Sequence, residues 1–224
     1  MSRESILSAV RSRLGVSTTD QTRQQTIQSR LTAHRQNTRP AVGNLAGSER
    51  VSQFIASATA KGAEVTRLKN LDEVASYLLA SLPKGSHISL TAAASQTGLQ
   101  LPETEIDVWT KKTSLENCLS TCFGAIAESG SLVVRSDGGN SLTQNFLADR
   151  HFVLLPVEDI LDSMESVWDR VRGTGGMPRD LTLVSGPSST GDIEMRMEKG
   201  AHGPRELHIL ILGDLVLKDE VAES

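Results

Sequence analysis

The sequence predicts an α/β domain, a mixed and mostly parallel sheet covered by helices on both faces and preceded by a basic helical arm. Two observations carry this prediction. Runs such as HFVLLPV (151–157) and LHILIL (207–212) are continuously apolar rather than alternating, as strands buried on both faces are. Such runs also alternate along the chain with segments whose apolar residues recur at helical spacing.

The elements follow in order. Ser2 is placed to cap a helix through Ile6, Leu7, Val10 and Leu14, with Gly15 to stop it. Residues 17–38 are rich in Thr, Gln and Arg, with Ile27 and Leu31 as anchors; they fit either a polar helix that needs a partner or an extended arm. The arm is therefore 1–40 and the α/β body 41–224. Within the body, Ser48 to Lys61 puts Val51, Phe54 and Ile55 on one helical face, and AEVTRL (63–68) is a strand. Asn70 caps a helix that buries Leu71, Val74, Leu78 and Leu79 and ends at Pro83. HISLT (87–91) and IDVW (106–109) are strands. CLSTCFGAIA (118–127) and SLVVRS (131–136) flank a tight connection, Glu128-Ser129-Gly130. Ser141 caps a short helix through Leu147, HFVLLPV is a buried strand, and Val157 to Val171 is a helix. LTLV (181–184) and LHILIL close the sheet as two further buried strands.

Composition narrows the function. The chain has 224 residues, long enough to bury a core without disulfides or metals. Aromatics are 3%, so the core is aliphatic and little is available to stack nucleic-acid bases. Two cysteines, Cys118 and Cys122, are too few for a disulfide scaffold or for the four ligands an iron–sulfur cluster takes; they read as core fillers. The first fourteen residues carry charges through their apolar pattern, unlike a signal peptide, and no apolar stretch approaches the length of a membrane span. A cytoplasmic protein is expected. Residues 1–40 hold seven arginines against Glu4 and Asp20, a net +5, while the remainder is −9. Such an arm can dock on the acidic body of a second copy, remain solvated, or contact a polyanion. Its arginines are dispersed and it has no aromatics, which argues against nucleic acid and for a homo-oligomer.

Two polar segments are candidates for chemistry. SGPSSTGDIE (185–194) follows a strand directly: Gly186 permits close backbone approach, and Ser188, Ser189 and Thr190 offer hydroxyls and caps. Its composition is that of an anion-binding turn at a carboxyl strand edge, although no Lys follows the glycine as in a P-loop. Asp192 and Glu194, two apart, precede His202-Gly203-Pro204-Arg205, and three uses stay open. Asp192 or Glu194 pairs with Arg205 and ties the connection down, or Arg205 binds a ligand carboxylate bidentately, or Asp192, Glu194 and His202 take a metal. The mixed spacing favours no metal. The other candidate is Glu128, with Ser129 and Gly130 beside it. It is either a nucleophile or general base, or a glutamate that bonds the amides of its own turn.

Three motifs in order, AIAESGSLVV (125–134), HFVLLPVEDI (151–160) and SGPSSTGDIEMRMEKGAHGPRELHILIL (185–212), resemble the lactate utilization protein C family, which carries the LUD domain. The resemblance implies a fold related to the sugar-phosphate isomerase and CoA-transferase-like group. It also implies a bacterial system that oxidises L-lactate to pyruvate, with iron–sulfur clusters on partner proteins and no cofactor in this chain. The family's motifs fall on Glu128, Ser129, Gly130, Ser185, Gly186, Pro187, Ser188, Thr190, Asp192, Glu194, His202, Gly203, Pro204 and Arg205. A stand-alone CoA-transferase-like or small-carboxylate-binding enzyme using Glu128 is the alternative.

Overall fold

A computed structural model describes residues 2–33, 43–101, 106–108, 116–136, 142–193, 196–199 and 203–213. The chain divides into two compact units, Met1–Thr38 and Arg39–Ser224.

The first unit holds two helices, α1 (Arg3–Leu14) and α2 (Gln21–Ala33). Ser2 caps α1 by accepting from the Ser5 amide, and Gly15 ends it in the left-handed conformation. Neither helix contains a buried residue.

The second unit runs α3 (Gly47–Ala60), β1 (Glu64–Leu68), α4 (Leu71–Ser81), β2 (Ile88–Leu90), α5 (Ala92–Ser95), β3 (Ile106–Val108), β4 (Asn117–Thr121), β5 (Gly124–Ile126) and β6 (Ser131–Arg135). It continues with α6 (Leu142–Leu147), β7 (Arg150–Pro156), β8 (Ile160–Leu161), α7 (Met164–Gly173), β9 (Leu181–Val184), β10 (Ser189–Ile193), β11 (Arg196–Lys199) and β12 (Glu206–Leu212). Six strands form a sheet in the order β1-β12-β7-β4-β2-β3, and every pairing in it is parallel. A second sheet, β8-β5-β6-β9, is mixed, with β5–β6 and β6–β9 antiparallel.

Burial explains the layering. One face of the parallel sheet (Leu119, Phe152, Leu154, Leu210) packs on Val74 and Leu78 of α4 and Ala94 of α5. The opposite face (Val153, Leu155, Leu207, Ile209, Ile211) packs on Val51, Phe54 and Ala58 of α3 and on Ala125 and Leu132 of the second sheet. Val167 and Val171 of α7 cover that sheet's outer side through Ile126 and Val133.

Several expectations are corrected here. CLSTCFGAIA is two strands, not one: β4 lies in the parallel sheet, and the chain crosses at Cys122–Phe123 to place β5 in the other. The helix expected from Val157 begins only at Met164, because Pro156 is followed by a single turn at Val157–Asp159 and by β8. LTLV is a half-exposed edge strand, with Leu183 40% exposed. Leu79 faces outward while Val74 and Leu78 are buried. Ser189–Ile193 is not open loop but the first strand of a hairpin with β11. Trp109 and Ser141 lie outside the described residues.

Candidate functional site

The Glu128-Ser129-Gly130 turn closes the β5–β6 hairpin, with the Gly130 amide donating to Ile126 O at 2.8 Å. Gly130 has φ +64°, and a Cβ there would lie 2.3 Å from Ala58 N and 2.5 Å from Ser57 C. The turn therefore sits directly on the backbone of α3, where only glycine fits. Lys61, just past α3, donates from Nζ to Ser129 O.

The Glu128 carboxylate leaves the turn. Its Oε1 accepts from the Met164 amide at 3.1 Å, at the first residue of α7, whose cap is Ser163. The Glu128 amide donates to Asp162 O at 3.2 Å. A Cβ on Gly43 would come 3.0 Å from Glu128 Oε2 and 3.3 Å from Ser163 Cβ. An anion is thus held at the positive end of a helix, which satisfies one of its orphan donors. The carboxylate bonds the first amide of α7 rather than the amides of its own turn.

The hydroxyls gather elsewhere. Ser129 Oγ donates to Ser131 Oγ at 2.9 Å, and Ser131 Oγ lies 2.6 Å from Ser185 Oγ. This chain of three serines joins the Glu-Ser-Gly turn to the Ser-Gly-Pro-Ser segment. Gly186 has φ +85°, and a Cβ there would lie 2.3 Å from Lys61 O, so this glycine also presses on the end of α3. The Ser188 amide donates to Pro204 O at 2.8 Å, drawing the segment onto the Gly-Pro-Arg stretch before β12. Between them lies a cleft of about 240 Å³, whose walls include Asn145, Phe146, Val184, Ser185, Ser188 and Leu207.

The position of this cleft corrects another expectation. It stands at the amino-terminal edge of the parallel sheet, where β12 begins, and not at the carboxyl edge. The reason is that β9, which leads into the segment, belongs to the second sheet and runs antiparallel to β6.

Arg205 is set apart from the cleft. It is 67% exposed with Nε 3.7 Å from Asp149 Oδ1, while its amide donates to Asp149 O at 2.8 Å. Asp149, a residue outside the motifs, is the acidic partner described for it; the pairing expected with Asp192 or Glu194 involves side chains outside the described residues. Thr190 and Asp192 lie on β10, and Glu194 and His202 fall outside the described residues. Of the motif residues, then, Ser129, Gly130, Ser185, Gly186 and Ser188 come together. Lys61 and Asn145 join them without any local motif, and so does Ser131, which lies within AIAESGSLVV as a polar residue opening an apolar strand.

Two groups, one buried and one partly buried, are perturbed. His151 is held neutral, its pKa lowered to about 4 by burial, with Nε2 2.7 Å from Ser120 Oγ. Burial, reinforced by Asp159, pushes the Cys122 thiol up to about 12, so it is no thiolate at neutral pH. Among the described residues no cluster of three His, Cys, Asp or Glu is arranged to hold a metal ion. No helix among them is long and apolar enough to cross a membrane.

Fold and site together define an α/β protein whose parallel sheet carries a serine-lined cleft at its amino edge. A model of the LUD domain matches residues 51–212, and the chain belongs to that family. An uncharacterized protein of Neisseria meningitidis is 32% identical over 126 residues, 54% of this chain and 54% of that protein. A lactate utilization protein C of Deinococcus radiodurans is 31% identical over 97 residues, 42% of this chain and 45% of the relative. The chain thus spans about half the length of these curated relatives. A DUF162 family protein from Deinococcus radiodurans, known from a crystal structure, superposes with a TM-score of 0.58 at 17% identity, over 75% of this chain and 99% of that one. At that identity the likeness speaks for the fold alone.

Proposed function

We propose that this chain is the non-metal subunit of a bacterial L-lactate utilization system that oxidises L-lactate to pyruvate together with iron–sulfur partner proteins. The observation that carries the reading is the LUD match over 51–212, a span containing all three motif segments, joined to relatives that bear the name lactate utilization protein C. The chemistry of the chain is compatible with it. Two cysteines cannot ligate a four-thiolate cluster, so in this reading such clusters reside on partners. A strain lacking this chain then fails to grow on L-lactate as sole carbon source and regains growth with the wild-type chain; undiminished growth refutes the reading.

Association belongs to the same proposal. Ile6, Val10, Leu14, Ile27 and Leu31 are exposed on helices that bury nothing, and the arm's +5 complements the −9 of the rest. Short isolated helices are marginal in water, and a second copy of the chain offers the arm an acidic surface. The alternative, a stand-alone CoA-transferase-like or small-carboxylate-binding enzyme, needs the Glu128 carboxylate for chemistry. Its engagement by the Met164 amide speaks against that role.

A further inference from the structure

The cleft beside Ser185 contains a polar group that the fold leaves unanswered. Asn145, in α6, is among its lining residues and is only 1% exposed, yet neither its Nδ2 nor its Oδ1 has a hydrogen-bond partner among the described residues. Folded proteins leave few such groups, and one set in a cleft wall marks where polar atoms from outside complete the structure. A second orphan lies close by. The β12–β7 register places His151 beside Leu207, a cleft residue, on the same sheet face, and His151 Nδ1 is likewise buried without a partner. The remaining wall is apolar (Phe146, Val184, Pro204) or hydroxylic (Ser185, Ser188), and no charged side chain lines it among the described residues.

We propose that this cleft binds a small uncharged ligand through an amide-like edge, and that Asn145 is the residue that reads it. A carboxamide presents a donor and an acceptor side by side, so its satisfaction takes an acceptor and a donor at matching spacing. Primary amides, lactams and the amino edges of heterocycles carry that pair. A free carboxylate offers acceptors only. It would leave Oδ1 unanswered and bring a charge against a wall with no cation among the described residues. At about 240 Å³ the cleft suits a ligand the size of one ring or smaller. The proposal stands apart from the lactate reading, since it concerns what the cleft holds rather than the pathway the chain serves.

The test uses the full chain and two matched pairs of probes, L-lactamide with L-lactate and nicotinamide with nicotinate, followed by ligand-observed NMR at about 1 mM. Each amide is expected to bind at least about tenfold more tightly than its acid, the effect of one lost hydrogen bond and an unpaired charge. Asn145→Leu removes both orphan atoms at similar volume; it is expected to keep or raise the thermal midpoint and to abolish amide binding. Asn145→Asp keeps the size but loses the donor, and is expected to lose amide binding as well. Acids binding as tightly as amides, absence of amide binding, or amide binding unchanged in both variants overturns the proposal. So does a marked loss of stability in Asn145→Leu, which would mean the carboxamide is already satisfied within the fold.

Discussion

Replacing Gly130 by alanine tests the packing on which the site rests. The new Cβ would lie 2.3 Å from Ala58 N and 2.5 Å from Ser57 C, both backbone atoms of α3 that cannot swing aside. The residue would also keep φ near +64°, which costs an alanine about 1–2 kcal/mol. Overpacking against a fixed helix adds about 1–3 kcal/mol, for a total of about 2–5 kcal/mol. For a domain of this size that corresponds to a fall of roughly 5–20 °C in the thermal midpoint. Gly175 is the control: it has φ +83° with nothing within 4 Å of a built Cβ, so Gly175→Ala carries the backbone cost alone. Thermal and urea unfolding followed by circular dichroism measure both. If Gly130→Ala destabilises no more than Gly175→Ala, the turn does not rest on α3 as described, and the serine chain loses its support.

Other consequences follow from the same geometry. Burial lowers the His151 pKa to about 4, so the folded state disfavours its protonation; stability is level above about pH 6.5 and declines as pH falls toward 4, by about 3 kcal/mol. His151→Leu removes that contribution, so the difference between wild type and variant in urea titrations at several pH values tracks this window; a constant difference contradicts it. Glu128→Gln keeps an oxygen for the Met164 amide and is expected to cost less than about 1 kcal/mol, with Glu128→Ala costing more; equal losses in chemical denaturation refute the capping role. Cys122, with its thiol at about 12, and the buried Cys118 are expected to resist iodoacetamide at pH 8 until the chain unfolds; rapid labelling of the native protein argues otherwise. The self-association proposed for the arm is expected to weaken as salt rises, and Val10→Lys with Leu14→Lys to reduce it further, read by light scattering. An unchanged mass across salt concentrations removes that part of the proposal.

Local pattern and burial coincide in some elements and part in others. Val51 and Phe54, Val74 and Leu78, and the runs 151–156 and 207–212 were legible because helical spacing or continuous apolarity matches the layer each faces. The crossing at Cys122–Phe123 was not, since nothing local separates a strand that stays in its sheet from one that moves to another. The start of α7 at the Ser163 cap was missed because the apolar residues from Val157 onward extended the expected helix past it. LTLV reads as buried because strand partners are non-local; its edge position in the second sheet is what reversed the expected location of the cleft. At the site, the glycines and serines of the two motifs were found because turns demand them. Lys61 and Ser131 were missed because each acts through residues distant in sequence, Lys61 on Ser129 and Ser131 on Ser185, and Asn145 because only the fold brings α6 to the cleft.

The most direct measurement is L-lactate-dependent dye reduction in lysates of the source cell, with the chain deleted and then restored as wild type or as Glu128→Gln. The account predicts that activity vanishes on deletion and returns with both forms, because the glutamate holds α7 rather than reacting. Activity untouched by deletion contradicts the lactate role. Activity restored by wild type but not by a folded Glu128→Gln contradicts the structural role given to that carboxylate and makes it a participant in the chemistry.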